Sequence, residues 1–314
     1  MRTLNERAWA VADAMAADAE QLRIAVTHVA GTRMLDCGGG ADGSLAAGVR
    51  MARACLADLA DVSLVPSPFA ELPGPAVQVT TDHAVKACLA SQYAGWQVKA
   101  GKYFAMGSGP MRAASAREAI FTDINYKEEP PCAVGILEAN NHPTEDAVAA
   151  IMQKLPTSVK KLTLLTAPAA SVAGAVQVVA RSVETALHKL HELKFDVRYV
   201  VSGFGVAPLP PVAKDDLNAI GRPNDAILYG GRVTLWVRAD DEQLAAIGPK
   251  VPSTASKDHG APFAELYARY GNFYDIDPLL FSPAEVTFVN LRTGRAFRFG
   301  RVDAGLLVKS FFGG

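Results

Sequence analysis

The chain has 314 residues, 50% hydrophobic and 20% charged, a globular composition that excludes a disordered chain. Its 31 basic and 32 acidic side chains leave a net charge of −1. This excludes strong electrostatic capture of nucleic acid but leaves room for a local basic pocket for a small anion.

The periodicity predicts a helix over 4–23, then a strand over 26–35 ended by Cys37-Gly-Gly-Gly40, and a helix over 44–59. Short strands are expected at 62–65 and 76–80, between proline-rich turns, and a helix at 82–90. A strand over 96–105 leads into the loop Gly107-Ser-Gly-Pro110 and a helix near 112–120. After a surface connection at 128–131, the alternation resumes. A strand at 132–137 precedes a helix over 144–155 with Thr144 as its N-cap, a strand at 159–165 and a long helix over 171–193. A strand at 195–202 ends at Gly203, and strands at 226–229 and 233–238 flank a turn at Gly230-Gly231. Short helices at 240–247 and 262–270 precede a hairpin of 284–291 and 295–301. This order indicates an α/β fold with α+β character and mixed sheets. The length suggests two domains, drawn at 1–125 and 126–314 with a soft, interruptible boundary.

Cys37, Cys55, Cys88 and Cys132 lie far apart with no C-x-x-C pair, so they read as buried thiols in a reducing compartment. The charged N-terminus has no apolar signal core. The longest uncharged stretch, 162–180, is broken by Pro168 and hydroxyl residues and is no membrane span. A cytoplasmic protein is expected.

The 171–193 helix is the most informative element. Val172, Val176, Val179, Val183, Leu187 and Leu190 form an apolar stripe, and Gln177, Arg181, Glu184, His188 and His191 a polar one. Arg181 and Glu184, three apart, read either as an exposed ion pair or as a carboxylate base held beside a guanidinium. His188 and His191 lack a third ligand nearby, so no metal is expected. The amides of Gly38, Gly39 and Gly40, and of Gly107, Ser108 and Gly109 beside Arg112, suit a small anion or simply form tight turns. Neither string is a P-loop or a dinucleotide fingerprint, and Ser108 is not in a G-x-S-x-G elbow.

Four strings carry a resemblance. They are Lys102-Tyr-Phe-Ala-Met-Gly-Ser-Gly-Pro110, Ser171-Val-Ala-Gly-Ala-Val-Gln-Val-Val-Ala-Arg-Ser-Val-Glu184, Pro223-Asn-Asp-Ala-Ile-Leu-Tyr-Gly-Gly231 and Asp277-Pro-Leu-Leu-Phe-Ser-Pro-Ala-Glu285. In this order, and along the whole chain, they resemble the methenyltetrahydromethanopterin cyclohydrolases. Met111 stands where a smaller residue is expected, and Pro223 where Thr is expected.

The resemblance implies a cytoplasmic, homotrimeric enzyme of one-carbon metabolism and methylotrophy, with no metal and no redox cofactor. It implies two mixed helix–sheet domains with the pterin coenzyme in a cleft between them. The reaction is the reversible hydrolysis of the methenyl bridge to the formyl compound. Arg181 and Glu184, in an A-R-x-x-E motif, become the catalytic pair. Gly38, Gly39, Gly40, Lys102, Tyr103, Gly107, Ser108, Gly109, Arg112, Gln177, Asn224, Asp225 and Tyr229 become candidates for binding substrate. Arg112, Lys102 and the amides of the two glycine strings would serve its anionic tail; Tyr103, Phe104 and Tyr229 would either line a pocket for its flat ring or simply form strand core. Rival readings are a cyclohydrolase of another cyclic amidinium, folate-type or purine precursor, and a non-catalytic pterin-binding protein.

Overall fold

The computed structural model describes residues 2–271 and 275–313. Its strands, in chain order, are β1 (Ala25–Val29), β2 (Thr32–Asp36), β3 (Asp61–Pro66), β4 (Pro75–Thr81), β5 (Trp96–Ala100), β6 (Tyr103–Ser108), β7 (Cys132–Glu138), β8 (Lys161–Ala167), β9 (Val200–Pro208), β10 (Arg232–Val237), β11 (Glu285–Asn290) and β12 (Ala296–Gly300). They form two mixed six-stranded sheets among the described residues, ordered β1-β2-β8-β7-β6-β5 and β12-β11-β10-β9-β4-β3. This is the α/β class expected.

The chain divides into two compact units, each discontinuous. One comprises residues 1–60 and 86–177, the other 61–85 and 178–314. The division does not fall at 125/126. Residues 126–177 complete the first unit, because β7 and β8 run parallel to each other and β8 runs parallel to β2. The 61–81 hairpin belongs to the second unit, because β4 pairs antiparallel with β9.

In the first unit, β7 and β8 are buried almost throughout, as strands covered on both faces must be. Alternate residues serve opposite faces. Leu35, Val134, Ile136 and Leu165 pack with Ala8, Ala12, Met15 and Met51. Met34, Ala133, Leu137 and Leu164 pack with Trp96, Val98, Met111 and Ile151. Met111 is accommodated because Gly135 and Gly107 face it: a Cβ on Gly135 would lie 2.2 Å from its sulfur. In the second unit the Ser182–Glu192 helix packs on β9 and β10. The Asp216–Gly230 helix packs against the Phe263–Tyr270 and Ala304–Phe312 helices.

Several local expectations change. The 26–35 strand is a hairpin, turned at Ala30 and Gly31, both with φ positive (47° and 76°), as a two-residue hairpin requires. Gly101, with φ 56°, likewise divides 96–105 into β5 and β6, and β6 runs on through Gly107 and Ser108. Residues 226–229 are helical, not a strand. They end the Asp216–Gly230 helix, whose start is capped by Asp215 accepting from the Asn218 N–H. The 82–90 segment forms a π-helix at Val85–Gln92, continued by the Tyr93 N–H bonding the Cys88 carbonyl. The long 171–193 helix is two helices, Val172–Val179 and Ser182–Glu192, broken at Ala180 and Arg181.

Candidate active site

The break lies at the Arg–Glu pair. Ser171 starts the first helix: its Oγ accepts from the Gly174 N–H. At the break the Arg181 N–H bonds the Val178 carbonyl, a tightened i, i+3 turn, and the Arg181 carbonyl then accepts from Thr185. Arg181 is the N-cap residue, with φ −85° and ψ 6°, so Glu184 falls in the first turn of the second helix. The first turn of a helix favours a carboxylate through the helix dipole. Val183 and Ser182 sit against Gly203 and Gly205 of β9, which fixes this turn on the sheet.

Arg181 Nη1 lies 3.9 Å from Glu184 Oε2, and the two side chains are only 10% and 4% exposed. The reading as an exposed surface pair is therefore overturned: these charges are buried. At 3.9 Å they attract each other without closing a direct charge-assisted hydrogen bond, which needs about 2.7–2.9 Å. Removing each charge from water costs several kcal/mol, so such a pair is weak evidence for stability alone. Chemically it is a carboxylate beside a fixed guanidinium, suited to taking a proton and to stabilising an oxygen that gains negative charge. His188 and His191 both turn to Glu192, at 3.8 and 3.6 Å. Among the described residues no group of three His, Cys, Asp or Glu side chains is placed to hold a metal ion.

The glycine loop after β2 does cradle an anion, but the anion is its own. Asp36 Oδ1 accepts from Gly38 and Gly39 at 3.1 and 2.6 Å, and Oδ2 from Gly40 and Ala41 at 2.6 and 3.0 Å. Burial pushes the Asp36 carboxyl up, and the four N–H donors outweigh it, holding it below the usual carboxylate range. His142 closes the loop at 3.4 Å from Oδ2. The sequence patterns above do not single out Asp36, although an Asp two residues before a glycine run can turn the backbone onto its own side chain.

Arg112 is fully buried and engaged. It forks onto Glu118 at 2.9 and 2.6 Å, donates to the Leu89 and Ser91 carbonyls at 3.0 and 3.3 Å, and lies between the Tyr93 and Phe121 rings. This binds the guanidinium into the fold of its own unit. Gly107 and Ser108 lie in the ladder with β7, and the Gly109 N–H bonds Ser91. Lys102 is exposed at the β5–β6 turn, the far end of a strand about 17–20 Å long from Gly109. The structure thus does not bring Lys102 and the glycine loop together. Tyr103 is in the core. Its hydroxyl is buried with no hydrogen-bond partner among the described residues, and burial pushes it up to about 12. The structure does bring Gln177 and Ser108 together around Cys55. The Gln177 amide nitrogen lies 3.6 Å, and Ser108 Oγ 3.4 Å, from its sulfur.

The 223–231 motif is a joint within the second unit. Asn224 donates to the Ile220 carbonyl at 2.8 Å, inside its own helix. Asp225 is buried. Its Oδ1 accepts from the Phe263 N–H at 2.9 Å and its Oδ2 from Ser310 Oγ at 2.6 Å, tying three helices. Burial pushes this carboxyl up to about 7. Tyr229 is fully buried, donates to the Ala261 carbonyl and packs against the His259 ring at 5.1 Å.

Among the described residues no helix is long and apolar enough to cross a membrane. The family described as Cyclohydrolase (MCH) matches residues 3–311. The methenyltetrahydromethanopterin cyclohydrolase of Rhodopirellula baltica is 49% identical over 289 residues, covering 90% of this chain and 87% of that protein. The proteins of the same name from Methylobacterium sp. (strain 4-46) and Methanococcoides burtonii are 44% and 38% identical, covering 98% and 99% of this chain and 97% and 98% of their own. With the buried A-R-x-x-E turn in place and the match running nearly end to end, the chain belongs to the methenyltetrahydromethanopterin cyclohydrolase family.

Proposed function

We propose that this chain catalyses the reversible hydrolysis of 5,10-methenyltetrahydromethanopterin to 5-formyltetrahydromethanopterin, with Glu184 as general base and Arg181 beside it. The observation that carries the mechanism is the burial of this pair at the helix break, within a full-length family match.

The methenyl carbon lies between two nitrogens that share a positive charge, so it is already electrophilic. What it needs is a positioned, partly deprotonated water. Glu184 takes a proton from the water as the water oxygen bonds to that carbon, and the cation becomes a neutral carbinol. Collapse breaks one C–N bond. Glu184 returns its proton to the leaving nitrogen, the carbinol O–H proton goes to solvent, and the oxygen becomes the formyl carbonyl. One water is consumed and one proton released. Arg181 orients the carboxylate and hydrogen-bonds the oxygen as it changes. The anionic tail is taken up by groups other than Arg112 and the Gly38–Gly40 amides, which are engaged within the fold. The same reading carries a homotrimer in the cytoplasm, for light scattering and cell fractionation to test.

The assay follows loss of the methenyl chromophore above its spontaneous rate. Acid–base help of this kind is worth about 10²–10⁴-fold, so Glu184→Gln is expected to lose that much kcat with the fold intact. Near-wild-type turnover in this variant removes Glu184 from the mechanism. Turnover of the folate counterpart, with none of the methanopterin compound, overturns the substrate.

A further inference from the structure

Strand β9 carries glycine at 203 and 205, two positions on one face of the sheet. Their cross-strand neighbours are Thr81 and Leu235 beside Gly203, and Val79 and Val233 beside Gly205. All four neighbours carry side chains at these positions, so the two glycines leave a notch in an otherwise filled face. The first turn of the Ser182–Glu192 helix sits in it. A Cβ on Gly203 would lie 2.7 Å from Val183 Cγ1. One on Gly205 would lie 2.4 Å from Ser182 Oγ and 2.9 Å from Val183 Cγ2. Neither glycine has a positive φ, so what the site requires of them is the missing side chain and not the backbone freedom. Ser182 Oγ is buried and makes no hydrogen bond among the described residues, so it occupies the notch by shape alone.

We propose that Gly203 and Gly205 are positioning residues for the cyclohydrolase reaction. By leaving two side chains out of the sheet they set the depth at which Ser182 and Val183 seat, and so the place of Arg181 and Glu184 on either side. This rests on Glu184 being the base. A methyl group at 205 would stand about 1 Å inside ordinary contact with Ser182 Oγ, and the rigid β-branched Val183 cannot turn aside. The turn must lift by a similar amount, and a 1 Å misplacement of a reacting group costs on the order of 10²-fold.

The test is a rescue series on the full chain, with the chromophore assay. Gly205→Ala is expected to lower kcat about 100-fold and to move KM less than about threefold. Adding Ser182→Ala removes the nearest clash but leaves Val183 Cγ2 at 2.9 Å and the Cβ of residue 182 at 3.3 Å, so it is expected to return only part of the lost kcat, about tenfold. Wild-type kcat in Gly205→Ala, or a loss that Ser182→Ala does not relieve, overturns the proposal while leaving the proposed function standing. Absence of turnover in the wild-type protein overturns the function itself. If Gly205→Ala does not fold, Val183→Ala empties the notch from the helix side. A fall in kcat at unchanged KM supports the proposal, and unchanged kcat overturns it.

Discussion

Replacing Asp225 by Asn separates the charge of this side chain from its shape. The amide keeps both contacts: its oxygen accepts from the Phe263 N–H and its nitrogen donates to Ser310 Oγ. Unfolded, the carboxyl titrates near its ordinary 3.8. Folded, burial is the largest influence on it and moves it to about 7, against the two hydrogen bonds, which favour the charged form. A folded value above the unfolded one means that the carboxyl's contribution to stability is complete below pH 3.8. It is lost as pH rises toward 7 and is flat above. At 1.36 kcal/mol per unit, about two units of that loss fall between pH 5 and pH 8, or about 3 kcal/mol. The Asn variant has no such loss. Urea unfolding of both proteins at half-unit intervals from pH 5 to pH 8 should show the variant gaining about 3 kcal/mol on the wild type, levelling off near pH 7. A difference that stays constant over this range refutes burial as the dominant influence on Asp225.

Arg181→Met removes the guanidinium beside the buried Glu184 and should cost about 3 kcal/mol in urea unfolding, with Arg181→Lys recovering part of it. A neutral Arg181→Met would show that the carboxylate is satisfied without the guanidinium. Arg112→Lys keeps the charge but loses the fork onto Glu118 and the stacking between Tyr93 and Phe121. It should destabilise the chain by about 2–3 kcal/mol, read as a lower Tm, and an unchanged Tm would contradict the buried placement.

The sequence shows elements whose signals are local. Thr144 caps its helix as its position implies, with the Ala147 N–H at 3.2 Å, and the 284–301 hairpin appears as β11 and β12. The apolar stripe through Val176, Val183 and Leu187 is buried as its period requires. The break at Ala180 and Arg181 has no such signal, because no glycine or proline marks it. It coincides with the seating of Val183 on glycines about twenty residues away in β9. The setting of Arg112 is hidden for a related reason: a guanidinium beside a glycine turn looks free in sequence until Glu118 and the carbonyls of the π-helix fold onto it. The membership of 61–85 in the second unit rests wholly on the pairing of β4 with β9, a contact that periodicity does not encode.

That pairing also imposes an order on synthesis. The β3–β4 hairpin leaves the ribosome about 120 residues before β9, the strand that will cover its inner edge. At ~5–20 residues per second the wait is on the order of ten seconds. No residue of the first unit lies beyond 177, so all of its chain has been made while the hairpin, between Ala60 and Lys86, still waits for its partner strand. A nascent chain is thus most exposed to β-edge aggregation late in translation, after the first sheet is complete and before β9 arrives. No single cut in the chain releases either unit whole, so neither can be expressed alone as one uninterrupted segment.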